Sequence, residues 1–159
     1  MKWFENLEEV MEHYTSTGGF LTSSFDGKIN TMTVSWGFIG YLWNKPVIIA
    51  LVRPQRYTKE FLDKSESFTL SVPFGELKKE LGTCGSKSGR DIDKSEVVNF
   101  VKAKSVDDYI VDGCDAYFEC KQILDFQMDK GLIAQNILDT VYPADDLHYI
   151  YVGEIVERY

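Results

Sequence analysis

The dipeptide Asp26-Gly27 sits between two runs, Phe20 to Phe25 and Ile29 to Phe38, that have the composition and alternation of β-strands. Asp and Gly both tolerate the positive backbone angles of a two-residue turn, so the chain is predicted to open its sheet with a tight hairpin. A hairpin commits its strands to antiparallel pairing, and a doubly wound parallel fold fits poorly with that start. Val47 to Val52, Ser67 to Val72, Tyr117 to Met128 and His148 to Val156 read as further strands. Trp3, Phe4, Leu7, Val10, Met11 and Tyr14 recur at helical spacing among acidic residues and predict an amphipathic helix ended by Gly18 and Gly19. Short helices are expected over Tyr57 to Asp63 with Thr58 near the cap, Glu76 to Leu81 and Gly131 to Val141, with a helical turn in Ser95 to Phe100. About six strands with short helices between them predict one mainly β domain over residues 1–159, an antiparallel barrel with peripheral helices.

Composition narrows the function classes. The longest apolar runs, such as Pro46 to Val52, fall far short of the roughly 20 residues that span a bilayer, so no membrane role is expected. The acid-rich segment Met1 to Tyr14 does not resemble a secretory signal, and the expected address is cytoplasmic. A net charge of −8 repels a phosphate backbone, which argues against nucleic acid. Cys84, Cys114 and Cys120 cannot all pair within the chain and lack metal-ligand spacing, so reduced thiols and no metal site are expected. With 3 Trp, 9 Tyr and 10 Phe, the chain holds more aromatic residues than one small core needs, and some should line a planar-ligand site or a subunit interface.

Three constellations could hold a ligand. Thr31, Thr33 and Ser35 alternate with Met32, Val34 and Trp36, giving one strand face a ladder of hydroxyls. Taken alone, the same pattern describes a half-exposed strand with threonines facing water. Arg53-Pro54-Gln55-Arg56-Tyr57-Thr58 places two guanidinium groups before a helix N-terminus, which suits a phosphate and equally suits surface ion pairing. Gly82 to Lys94 is rich in Gly and Ser and lets a backbone approach a ligand closely, though no Walker or Rossmann pattern is present and a mobile surface loop reads the same. Cys84 is either a redox thiol or an inert buried one. Of the two histidines, His13 reads as a solvated or interface residue. His148 opens the last strand, where it would either position a nicotinamide, supply a proton or make a structural hydrogen bond.

Taken in order, Asn30-Thr31-Met32-Thr33-Val34-Ser35-Trp36-Gly37, Arg53-Pro54-x-Arg56-Tyr57-Thr58, Cys84-Gly85-Ser86-x-Ser88-Gly89-Arg90-Asp91-x-Asp93-Lys94 and His148-x-x-x-Val152-Gly153-Glu154 resemble the flavin reductase-like domain, flavoredoxins included. The resemblance runs from about Gly18 to Ile155, with Val101 to Gly113 unaligned. It implies an FMN-binding split barrel, antiparallel and Greek-key-like, that forms a homodimer with each flavin near the subunit interface. By this likeness Asn30, Thr31, Met32, Thr33, Val34, Ser35 and Trp36 would contact the ring and ribityl chain, and Arg53, Arg56, Tyr57 and Thr58 the phosphate. Cys84, Gly85, Ser86, Ser88 and Gly89 would cover the cofactor, with Lys94 a cation near ring or phosphate. His148 would be the catalytic candidate. The implied activity is flavin reduction by NAD(P)H with electrons passed to free flavin or a protein acceptor. The rivals are a non-enzymatic electron carrier and an FMN-binding storage or sensory module.

Overall fold

The computed structural model describes residues 2–159. The chain forms α1 (Leu7–Ser16), β1 (Gly19–Phe25), β2 (Lys28–Val34), β3 (Gly37–Leu42), β4 (Lys45–Val52), α2 (Tyr57–Leu62), β5 (Ser67–Val72), α3 (Lys78–Ser86), β6 (Phe100–Lys102), β7 (Tyr109–Val111), β8 (Ala116–Gln127), α4 (Gln135–Val141) and β9 (Tyr149–Arg158). Seven strands make one sheet in the order β2-β1-β5-β8-β9-β4-β3, and β6 and β7 pair separately. Every pairing is antiparallel. The expected hairpin is present: Asp26 and Gly27 have φ of 52° and 73°, and Phe25 pairs with Lys28 across the turn.

The sheet curls into a barrel that does not close completely. Its inner face buries Leu21, Met32, Val34, Ile48, Phe68, Leu70, Phe118, Tyr151 and Ile155 in one core, with Val10 and Tyr14 of α1 packed against it. Curvature comes from β8 and β9, whose register shifts between Glu119 and Cys120 and again between Gln122 and Leu124. Opposite these bulges a Cβ on Gly153 would lie 2.6 Å from Cys120 Cβ and from Phe68 Cζ, so only a glycine lets the strands approach this closely. The two edge strands, β2 and β3, are neighbours in sequence. The split therefore falls where Ser35 and Trp36 join them.

Several sequence expectations need correction. Ile29 to Phe38 is not one strand, because the Tyr14 hydroxyl donates to the Trp36 carbonyl at 2.9 Å and the chain leaves β2 for the far edge. At Gly37 a Cβ would sit 2.4 Å from the Ile49 carbonyl oxygen, a contact no side chain permits. The helix expected to stop at Leu81 runs through Gly82 and Gly85 to Ser86. Burial of Leu81 and Cys84 against Phe20, Val98 and Val111 outweighs the low helix propensity of those glycines. The helical turn expected in Ser95 to Phe100 is a 3-10 turn that starts one residue earlier, Lys94–Glu96, capped by Asp93, and Phe100 belongs to β6 instead. Thr58 does not cap α2; Arg56 holds the cap position and makes no side-chain capping bond. In the stretch predicted as helix from Gly131, a 3-10 turn at Lys130–Leu132 precedes α4.

Candidate functional site

At the split lies an open cleft of about 240 Å³ lined by Met32, Thr33, Val34, Ser35, Trp36, Leu51, Arg53, Arg56 and His148. Residues from both faces of β2 line it because β2 meets the cleft edge-on. The hairpin closes on Phe25 and Lys28, and alternation from that pair leaves Thr31 and Thr33 with backbone groups pointing away from β1, toward the split. Thr31 shows this directly, since its carbonyl accepts from Lys94 Nζ at 2.6 Å. Beyond β2, the backbone N–H groups of Ser35 and Trp36 have no partner among the described residues. Two of the three hydroxyls of the expected ladder are otherwise engaged, and only Ser35 lines the cleft with its hydroxyl unbonded among the described residues. Thr31 Oγ1 accepts from Thr22 Oγ1 and donates to the Leu21 carbonyl, and Thr33 Oγ1 donates to the Leu81 carbonyl at 2.6 Å.

One flank of the cleft carries Arg56, and Lys94 of an adjoining cleft shares the same helix end. Arg56 donates to the Gly85 carbonyl at 2.8 Å, and Lys94, only 4% exposed, donates to the Cys84 carbonyl at 3.2 Å. Both sit at the negative end of α3, a favourable place for cations. Neither has a carboxylate within ion-pair distance among the described residues. Burial lowers the Lys94 pKa to about 8, and lowers that of Arg56 from its usual value. Burial also raises the Cys84 thiol, against the opposing pull of Lys94, so Cys84 is a protonated packing residue rather than an activated thiol.

The other flank is neutralised. Arg53 pairs with Asp146 at 2.8 Å, donates to the Val141 carbonyl at 3.2 Å and lies over the Tyr142 ring, 5.2 Å from its centroid. His148 is buried, its Nδ1 lies 2.7 Å from the Tyr142 hydroxyl, and its ring stands 5.6 Å from that of Trp36. Burial first, and then the Arg53 charge, lower its pKa to about 4. The imidazole is therefore neutral at physiological pH and serves as a hydrogen-bonding group rather than an acid.

The residues singled out in the sequence divide into three groups. Met32, Thr33, Val34, Ser35, Trp36, Arg53, Arg56 and His148 meet in the cleft. Asn30, Tyr57, Gly89 and Lys94 line an adjoining cleft of about 390 Å³. There a Cβ on Gly89 would lie 2.1 Å from Asn30 Oδ1, and the Asn30 amide donates to Thr58 Oγ1 at 2.8 Å. Thr31, Thr58 and Cys84 are sealed inside, while Gly85 packs on Thr33 and the Ser86 and Ser88 hydroxyls bond locally within residues 82–90. Sequence reasoning missed Leu51, Tyr142 and Asp146. Leu51 carries only a strand-face signal, and Tyr142 and Asp146 lie in a segment with no motif. A larger groove of about 940 Å³ over α2 and β8 is lined by none of the expected residues.

The sequence profile of the flavin reductase like domain matches residues 11–159, and the chain belongs to that family. No curated protein matches it in sequence. Among solved structures it is similar to flavoredoxin from Methanosarcina acetivorans, at 22% identity and a TM-score of 0.73 over 90% of this chain and 67% of that one. An FMN-binding protein from Thermus thermophilus with bound 1-cyclohex-2-enone aligns with a TM-score of 0.74 at 19% identity, covering 94% of this chain and 72% of that one. An NADH:FAD oxidoreductase from Streptomyces globisporus, in complex with NAD and FAD fragments, gives 0.69 at 17% identity over 90% and 74%. At these identities the likeness establishes the split-barrel fold. Together with the family, it supports a flavin-related redox role.

Proposed function

We propose that the chain is an FMN-dependent oxidoreductase reduced by NAD(P)H. The observation that carries this reading is the pair Arg56 and Lys94, two cations without a carboxylate, beside unpartnered backbone N–H groups in a chain of net charge −8. Such a flank lacks an anion, and the terminal phosphate of FMN is one. Arg56 uses two of its donors on carbonyls and keeps others for a phosphate oxygen. Thr33, Ser35 and Trp36 offer backbone groups suited to the heteroatoms of the ring, and His148 a neutral polar group at the opposite wall. A bound flavin supplies the redox chemistry, so no protein nucleophile is needed. The protein's own work is to bind the phosphate, orient the ring and hold donors where negative charge develops.

The site is half of a larger one in this reading. The cleft is smaller than the roughly 300 Å³ at which ligand pockets begin. Beside it β3 exposes Phe38 and Tyr41, Trp36 and Trp43 flank that strand, and the row Phe38, Ile49, Val152, Leu124 runs apolar across the outer face of four strands. A second copy docked on this edge would bury the aromatics and add the missing wall, giving a homodimer. The unpaired cysteines fit a reducing cytoplasm, and no described helix is long and apolar enough to cross a membrane. The acidic surface favours one second reading, an electron carrier that docks a basic partner protein.

Purified protein is expected to be yellow, to release one FMN per chain on denaturation and to scatter light as a dimer. Mixed anaerobically with NADH or NADPH, it should bleach within seconds. Bleaching only with a protein donor would establish the carrier instead, and failure to retain supplied FMN would refute both.

A further inference from the structure

The Tyr142 hydroxyl contacts two side chains, His148 Nδ1 at 2.7 Å and Met128 Sδ at 3.2 Å. A phenol donates better than it accepts, and an imidazole nitrogen accepts far better than a thioether, so the proton goes to Nδ1. The other ring nitrogen, Nε2, has no protein partner, yet no buried side-chain nitrogen or oxygen is left unsatisfied. It follows that Nε2 reaches open space, and the space that His148 lines is the cleft, beside Trp36.

We propose that Tyr142 is a positioning residue that fixes His148 as the Nε2–H tautomer, presenting a neutral donor to a ring carbonyl or carboxamide oxygen in the cleft. The ligand named here rests on the flavin-site reading; the tautomer does not. Tyr142 is itself held on two sides. Its backbone N–H ends α4 on the Leu138 carbonyl, and the Arg53 guanidinium lies over its ring. The charged groups that face His148 are Arg53 and Asp146, paired with each other, while Trp36, Met128 and Tyr142 are uncharged. With burial and Arg53 both opposing a second ring proton, the imidazole keeps its donor role without becoming an acid.

Long-range 1H–15N correlation spectra of 15N-labelled, flavin-free protein test this directly. The chain has two histidines, so a His13→Gln variant assigns the spectrum. Wild type should show His148 protonated at Nε2 alone at pH 7. Tyr142→Phe keeps the ring beneath Arg53 and removes the donor, so it should show mixed tautomers and a higher titration midpoint, with an unchanged melting profile. An Nδ1–H tautomer in wild type, or identical nitrogen patterns in both proteins, would overturn the proposal. The same variant should bind FMN and riboflavin about three- to tenfold more weakly, as expected for one misdirected neutral bond. Tautomer mixing with unchanged affinity would overturn the donor role. Binding of no flavin by either protein would instead refute the flavin reading and leave the tautomer standing.

Discussion

Arg53 and Arg56 leave the same strand within one short link, and the fold treats them in opposite ways. Arg53 meets Asp146, the Val141 carbonyl and the Tyr142 ring, and every partner either cancels or covers its charge. Arg56 meets only carbonyl oxygens at the end of α3 and shares that end with the buried Lys94. Backbone dipoles solvate a cation without neutralising it, so the Arg56 flank remains positive while the Arg53 flank is closed and neutral. The lesson is that an arginine's role is set by the partner the fold delivers, and a motif containing two of them need not use both alike. On the proposed reading an anionic ligand would sit at Arg56, with the uncharged part of the same ligand against His148.

The largest effect should come from breaking the positive flank. Arg56→Ala removes a charge-assisted bond and should weaken FMN about tenfold to hundredfold, while riboflavin, which lacks the phosphate, binds almost as before. Equal weakening of both ligands in fluorescence titrations would mean that Arg56 merely supports α3, and the contrast between flanks would fail. A smaller, pH-dependent effect follows from Lys94. Burial sets its pKa to about 8, and a nearby anion stabilises the ammonium and raises that value in the complex. The complex then holds more protons than the free protein above that pH, so FMN affinity is full below about 8 and falls as pH rises, by at most tenfold per unit for one proton. Lys94→Met should flatten the profile, and riboflavin should show no slope with either protein.

This contrast also marks what the sequence could disclose. Local chemistry was legible: Asp26-Gly27 forms its hairpin and Ser67–Val72 its strand, while three of the four motifs send residues into one cleft and Gly89 and Lys94 of the remaining motif line the adjoining one. Long-range partnering was not. Nothing near Arg53 in sequence announces Asp146, and nothing near Thr33 announces that its hydroxyl would be taken by Leu81 across the site. Thr31 and Thr33 share one strand face as expected, but Ser35 lies beyond the end of β2, and α3 covers that face at Thr33, so the backbone groups turned toward the cleft lie on the strand's edge. An edge is a property of sheet order, which depends on pairings made far along the chain. For the same reason the break at Ser35 and Trp36 was hidden, because the group that fixes it is the Tyr14 hydroxyl on α1.

The smallest effect sharpens the comparison from the neutral side. Arg53→Ala removes an ion pair whose members are 26% and 23% exposed, a carbonyl bond at Val141 and the cation over Tyr142. A partly exposed pair of this kind contributes about 1 kcal/mol or less, so the fold should survive with a slightly lower melting temperature. What changes is the platform. Tyr142 loses the group that covers its ring, Asp146 keeps only the Gln55 amide at 3.1 Å, and His148 loses the cation that opposes its protonation. The His148 pKa should therefore rise from about 4 toward the ordinary histidine value, an upward shift readable by NMR. Ligand affinity should fall about three- to tenfold, and equally for FMN and riboflavin, because the lost support lies under the uncharged end. A loss confined to FMN would place the phosphate at Arg53, reverse the assignment of the two flanks and make Arg56 the structural arginine of the pair.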